Sequence, residues 1–237
     1  MTELLYLTDS YLKSFEATVT DHVDGGVVLD RTAFYPGGGG QPHDTGRLTT
    51  GDQSWDVVKV KRVKGRPVHF LDGEELPAVG ADVHGRLDWD RRYQLMRTHT
   101  AMHVLCGVIW RDYGASVTGG NMEPLRGRMD FEFETMRAEL VEEIEQAVNE
   151  EVEAARPVKV DILPREEAFQ IPDLIRTKIN LLPDHIKEVR TIELEGLDLQ
   201  ADGGTHVANT REVGPMYIVD YKSKGKINKR IYVELEE

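Results

Sequence analysis

The sequence predicts an α+β protein: an N-terminal small β-barrel-like domain over residues 1–89, followed by an α/β two-layer domain over residues 90–237. Two observations carry this reading. Before Asp90, short apolar runs are punctuated by Asp-Gly turns; after it, helical spacing alternates with further strand-like runs.

In the first part, Phe15–Val19 and Gly26–Leu29 read as strands joined through Asp24-Gly25, and Trp55–Val63 and Val83–Leu87 as further strands, with another turn at Asp72-Gly73. Many short strands with glycine punctuation suit a small barrel. From Arg91 to Asp112, Leu95, Met102, Leu105 and Ile109 recur at helical spacing, with Asp90 as the expected N-cap and Gly114 as the stop. A strand is expected at Met129–Phe133. Leu140, Ile144, Val148 and Val152 then mark a second helix that Pro157 ends. A strand at Val158–Leu163, a short helix opening at Arg165 and a strand at Val189–Leu194 follow. The chain closes on a hairpin of Tyr217–Tyr221 and Ile227–Leu235.

Hydrophobic residues make up 40% and charged residues 30%, the balance of a soluble globular protein, and charges interrupt every apolar stretch before it could span a membrane. The N-terminus lacks the basic start and apolar core of a signal peptide. A single cysteine, Cys106, excludes an internal disulfide and fits a reducing compartment, so a cytoplasmic location is expected. The formal net charge of -13 argues at first against a nucleic-acid partner. Basic residues nevertheless gather locally: Lys59, Lys61, Arg62, Lys64 and Arg66; Arg91, Arg92 and Arg97; and Lys222, Lys224, Lys226, Lys229 and Arg230. Screening over about 8 Å lets such a strip engage phosphate despite the total. A lysine-guarded edge strand would look the same.

His99 and His103 stand four residues apart in the first helical segment, so both imidazoles share one face and can reach one cation. Two hydrogen-bonded core histidines would show the same spacing. Thr100 occupies the position where metallopeptidases carry their general-base Glu, so that chemistry is excluded. A hundred residues on, Asp202 and His206 flank Gly203-Gly204, whose flexibility allows both side chains to meet at one point. Gly37-Gly38-Gly39-Gly40-Gln41 suits close approach of backbone N–H groups to a ligand, or equally a glycine-rich hairpin loop.

Three strings together, Arg97-Thr98-His99-Thr100-Ala101-Met102-His103, Asp202-Gly203-Gly204-Thr205-His206 through Gly214, and Thr32 through Gly46, resemble the editing domain of alanyl-tRNA synthetases and its free-standing AlaX relatives. The resemblance implies that residues 90–237 form the editing domain. It further implies a free-standing trans-editing hydrolase that deacylates tRNA(Ala) mischarged with serine or glycine, using a metal-activated water. One Zn2+ per chain would be held by His99, His103, Asp202 and His206. Asp202 departs from the family's usual Cys; its oxygen is a harder donor, which weakens selectivity among divalent metals and leaves open a structural or lost metal. The resemblance assigns the serine hydroxyl to Thr32, with Gln41, Gly39 and Gly40 positioning substrate. Arg91, Arg92, Lys224, Lys226 and Arg230 are the expected contacts to the tRNA backbone. No side chain stands out as a catalytic acid or base.

Overall fold

The computed structural model describes residues 2–73, 75–172, 174 and 187–237. It divides into two compact units, Met1–Gln94 and Leu95–Glu237.

The first unit contains β1 (Glu3–Leu4), β2 (Ser14–Val23), β3 (Gly26–Leu29), β4 (Arg31–Thr32), β5 (Gly46–Thr50), β6 (Gln53–Val63), β7 (Arg66–Leu71) and β8 (Asp82–Leu87). Six of these close a barrel in the order β2-β3-β7-β6-β5-β8, with β8 returning antiparallel to β2. Closure leaves these strands no free edge, and period-2 alternation fills the interior. Phe15, Ala17 and Val19 point inward from β2 and join Val27, Leu29, Phe34, Leu48, Val57, Val60 and Val83. A register shift between Val57 and Lys59 explains why the inward set on β6 steps from Val57 to Val60 and leaves Val58 exposed. Two strand glycines permit close packing: a Cβ at Gly46 would lie 2.2 Å from the Arg86 carbonyl oxygen, and one at Gly85 would lie 2.5 Å from the Phe15 ring.

The second unit is built from α1 (Trp89–Tyr113), whose first six residues belong to the barrel unit, then β9 (Val117–Glu123), β10 (Arg126–Glu132), α2 (Ala138–Glu153), β11 (Val158–Pro164), α3 (Arg165–Ala168), β12 (Glu188–Leu194), β13 (Asp198–Ala201), β14 (Met216–Ser223) and β15 (Asn228–Leu235). One antiparallel sheet runs β14-β15-β10-β9 and a second runs β11-β12-β13. Mixed helices and sheets in one unit and a closed barrel in the other give the α+β class that the sequence predicts. The cap of α1 is Asp88, not the expected Asp90: its Oδ1 accepts from Arg91 N–H at 3.3 Å and its carbonyl from Arg92 N–H. Gly114, at φ +63°, ends the helix by donating to the Trp110 carbonyl. On α2 the buried stripe is Val141, Ile144, Val148 and Val152, so Val141 takes the place expected of Leu140. Among the described residues, no helix is long and apolar enough to cross a membrane.

Candidate metal centre

From Thr98 to Ile109, every residue of α1 is buried. The helix runs through the middle of its unit, not along its surface. That placement puts His99 and His103 inside, at 4% and 6% exposure. The second contribution comes from the loop after β13. Asp202 N–H donates to the Arg190 carbonyl at 3.1 Å and Gly204 N–H to Asp202 Oδ1 at 2.7 Å, which bends the chain back so that His206 faces the helix. One ligand atom from each of His99, His103, Asp202 and His206 then lies within 4.8 Å of every other. His99 Nε2 is 3.6 Å from Asp202 Oδ2, and His206 Nε2 is 3.1 Å from Asp202 Oδ1. The imidazole centroids are 4.2 Å apart for His99 and His206 and 5.2 Å for His99 and His103.

Each imidazole is also held from behind. His103 Nδ1 is 2.9 Å from Asp198 Oδ2, His206 Nδ1 is 3.2 Å from the Thr100 hydroxyl, and His99 has a hydrogen bond to the Thr205 backbone. Metal-binding histidines characteristically engage their second ring nitrogen in this way, with a carboxylate, a hydroxyl or a carbonyl. The electrostatics suit a cation as well. Burial pushes the His99 imidazole down to about 4, with the charges of His103 and Arg190 acting in the same sense against Asp202. Burial, and then the charge of His99, hold His206 well below its ordinary range. At His103 burial acts downward too, but the Asp198 hydrogen bond and charge prevail and raise it. Burial works upward on Asp202, yet the imidazoles of His99 and His206 keep it well below the usual carboxylate range. At neutral pH His99 and His206 are therefore neutral and Asp202 ionised, the states in which these groups ligate. Three nitrogens and one carboxylate oxygen form a donor set that fits Zn2+ or another borderline divalent ion.

Asp198, Gln200, Thr100 and Thr205 are bonded into the cluster, and the sequence pattern does not single them out. Asp198 and Gln200 alternate on β13, where Gln200 Nε2 donates to Asp198 Oδ2 at 2.7 Å and to Cys106 Sγ at 3.3 Å. The signal was a carboxylate and an amide two residues apart just before Asp202. Cys106 thus contacts this network and is absent from the four-residue cluster.

The remaining expected site residues of the first unit sit as follows. Gly38 and Gln41 exchange two backbone hydrogen bonds, so Gly39 and Gly40, at φ +58° and +89°, form a two-residue hairpin tip; Gln41 is buried. Thr32 is fully buried: its hydroxyl lies 2.8 Å from His69 Nε2 and accepts from Phe34 N–H at 3.1 Å. Arg92 requires a correction. Its guanidinium is 0% exposed, ion-paired to Asp44, and donates to the carbonyls of Ser10 and Ala33. It pins the base of the glycine-rich loop and is buried out of reach of a phosphate. Arg91 is half-buried and donates to the His43 carbonyl. In the second unit, Lys224 and Lys226 are exposed on the hairpin turn. Arg230 spends Nε and one Nη on Asp130 at 2.6 and 2.8 Å, so its fork is already engaged.

Residues 4–91 match the family described as tRNA synthetases class II (A), and residues 189–232 match the threonyl and alanyl tRNA synthetase second additional domain. The barrel and the segment carrying Asp202 and His206 thus each resemble domains found in these synthetases. The alanyl-tRNA editing protein AlaX-M of Methanosarcina barkeri is 41% identical over 241 residues, covering 99% of each protein. The AlaX-M of Saccharolobus solfataricus is 41% identical over 236 residues, covering 98% of each. The alanine–tRNA ligase of Pyrobaculum aerophilum is 42% identical over 221 residues, 90% of this chain and 24% of the ligase. The chain belongs to the alanyl-tRNA editing protein AlaX-M family.

Proposed function

We propose that this protein is a trans-editing hydrolase that deacylates tRNA(Ala) mischarged with serine, and with glycine as a secondary substrate, using a divalent cation held by His99, His103, Asp202 and His206. The observation that carries the reading is the convergence of these four side chains within 4.8 Å, from segments a hundred residues apart, in a chain whose relatives are named alanyl-tRNA editing proteins. When bound, the cation supplies Lewis acidity that polarises the ester carbonyl and lowers the pKa of a water toward about 7. The protein's own groups supply position and charge. His99 and His206 stay neutral through burial, Asp202 contributes the negative charge, and Thr100, Thr205 and Asp198 fix the three imidazoles. Thr100 at the position after His99 means that α1 brings no carboxylate base, which suits an ester that is already activated.

Thr32, Gln41, Gly39 and Gly40 are assigned to substrate recognition. A hydroxyl partner held out of water favours a substrate carrying the matching group over one that lacks it, which is the direction needed to spare alanine. Lys224, Lys226 and Arg91 are assigned to tRNA phosphates, where contacts position the acceptor without reading bases. The deciding experiment measures deacylation of Ser-tRNA(Ala), Gly-tRNA(Ala) and Ala-tRNA(Ala) by metal-loaded protein and by His103→Ala. The parent should release serine fastest and spare alanine, and the variant should lose activity while retaining tRNA affinity. A parent with no turnover of either mischarged tRNA would end this reading.

One observation favours a second reading, a tRNA-binding module without a catalytic metal. Asp202 pairs directly with His206 and so satisfies part of the cluster without any cation. Metal analysis of the purified chain separates the two.

A further inference from the structure

Asp198 belongs to neither motif that singled out the site, yet it bonds directly to one of the four imidazole and carboxylate groups. It is 3% exposed, at the start of β13, and its Oδ2 accepts from His103 Nδ1 at 2.9 Å. The same oxygen accepts from Gln200 Nε2 at 2.7 Å, and that amide also meets Cys106 Sγ on α1. The approach of β13 to the helix depends on a missing side chain. A Cβ on Gly107, one turn beyond His103, would fall 2.8 Å from Leu197 Cγ and 3.1 Å from Asp198 Cβ. Three features from two distant segments therefore serve one contact: a glycine inside a helix, a buried carboxylate, and an amide that fixes the carboxylate's orientation.

The chemistry of the contact is specific. A carboxylate at Nδ1 holds the ring's N–H there, which leaves the Nε2 lone pair as the donor turned toward His99, Asp202 and His206. It also adds negative charge without occupying a ligand position. The positive charge of Arg190 is already felt at both His99 and His103, so a dication would be a further positive charge in a buried place. We infer that Asp198, oriented by Gln200 and admitted by Gly107, is a positioning residue that sets the cation affinity of the His99–His103–Asp202–His206 centre. This rests on the metal reading above and deepens it.

The test uses the full chain and reads cation binding, not turnover. Stripped protein is titrated with Co2+, followed by its visible spectrum, and with Zn2+ against a chromophoric chelator, for the parent, Asp198→Asn, Gln200→Leu and His103→Ala. Melting of each stripped variant is recorded alongside. Losing a partner of this kind typically weakens metal binding about 10–100-fold. Asp198→Asn should fall in that range with an altered Co2+ spectrum and a near-parental melting temperature, Gln200→Leu should fall by less, and His103→Ala should lose the site. Parental affinity in Asp198→Asn, alongside a parent that binds and a His103→Ala that does not, overturns the inference and leaves the metal reading standing. A parent that binds neither ion overturns both. If Asp198→Asn itself melts far below the parent, Asp198→Glu decides: restored melting without restored affinity supports the positioning role, and restoration of both in step assigns Asp198 to folding alone.

Discussion

Inside the barrel, His69 Nδ1 donates to the Val27 carbonyl at 3.2 Å, which leaves Nε2 to accept the Thr32 hydroxyl proton at 2.8 Å. Burial keeps this ring neutral, pushing its pKa down to about 4 against the pull of the Val27 carbonyl. Unfolded, the same ring takes its proton near the ordinary value of about 6.5. Between those values the unfolded chain binds the extra proton, so His69's contribution is complete above about pH 6.5. It declines as pH falls toward 4, by up to about 3 kcal/mol. Urea unfolding at pH 7.5, 5.5 and 4.5 should show His69→Gln losing less stability on acidification than the parent. Equal slopes for the two proteins would mean that His69 is not held neutral. Thr32 carries a related consequence. Thr32→Val leaves Phe34 N–H and His69 Nε2 without their buried partner, at a cost of about 1–3 kcal/mol, whereas Thr32→Ser keeps the hydroxyl. Both variants are needed in any assay of serine selectivity, because loss of discrimination in Thr32→Val alone confounds recognition with stability. Thr32→Ser should melt near the parent, and Thr32→Val clearly below it.

At the scale of elements, α1 shows why local patterns reveal some functions and conceal others. The i, i+4 histidine pair is visible because both ligands come from one turn, and Asp202-Gly203-Gly204-Thr205-His206 because its ligands lie in one short loop. Arg92, on the same helix, is buried and not a surface residue. A basic residue beside Arg91 looks like surface, and only the fold reveals Asp44, 48 positions away, as its buried partner. The bulge in β6 and the strands β5, β7 and β9 escaped for a similar reason: cross-strand pairing, not any run of apolar residues, defines them. Gly107 yields a prediction at this scale. Within an exposed helix, replacing Gly by Ala stabilises by about 1 kcal/mol. Here the added methyl would press on Leu197 and Asp198, so Gly107→Ala should instead destabilise by about 1–3 kcal/mol and weaken cation binding. Denaturant midpoints and the Co2+ titration check both effects. A stabilised variant would show that β13 yields freely.

For the molecule as a whole, the candidate centre exists only when α1 and the loop after β13 come together, so a cation bound there is bound by the folded state alone. Such binding adds about 2.7 kcal/mol of stability at a free concentration a hundred times the dissociation constant. Removing metal with a chelator should therefore lower the parent's melting temperature and leave that of His103→Ala unmoved. Acid should act in the same direction for an identifiable reason. The Asp198 carboxylate raises the pKa of His103 above its ordinary value, while burial holds His99 near 4 and His206 well below its own ordinary value. As pH falls through the His103 titration, a proton occupies the nitrogen that a cation needs, and affinity drops before His99 or His206 competes at all. Calorimetric titration with Zn2+ near pH 6.5, in buffers of different ionisation enthalpy, should reveal net proton release of up to about one per cation, diminishing as pH rises. Asp198→Asn, with the carboxylate charge gone, should shift that release to lower pH. Binding without buffer dependence across the same range would mean that His103 carries no proton to displace, and that its raised pKa has no part in metal uptake.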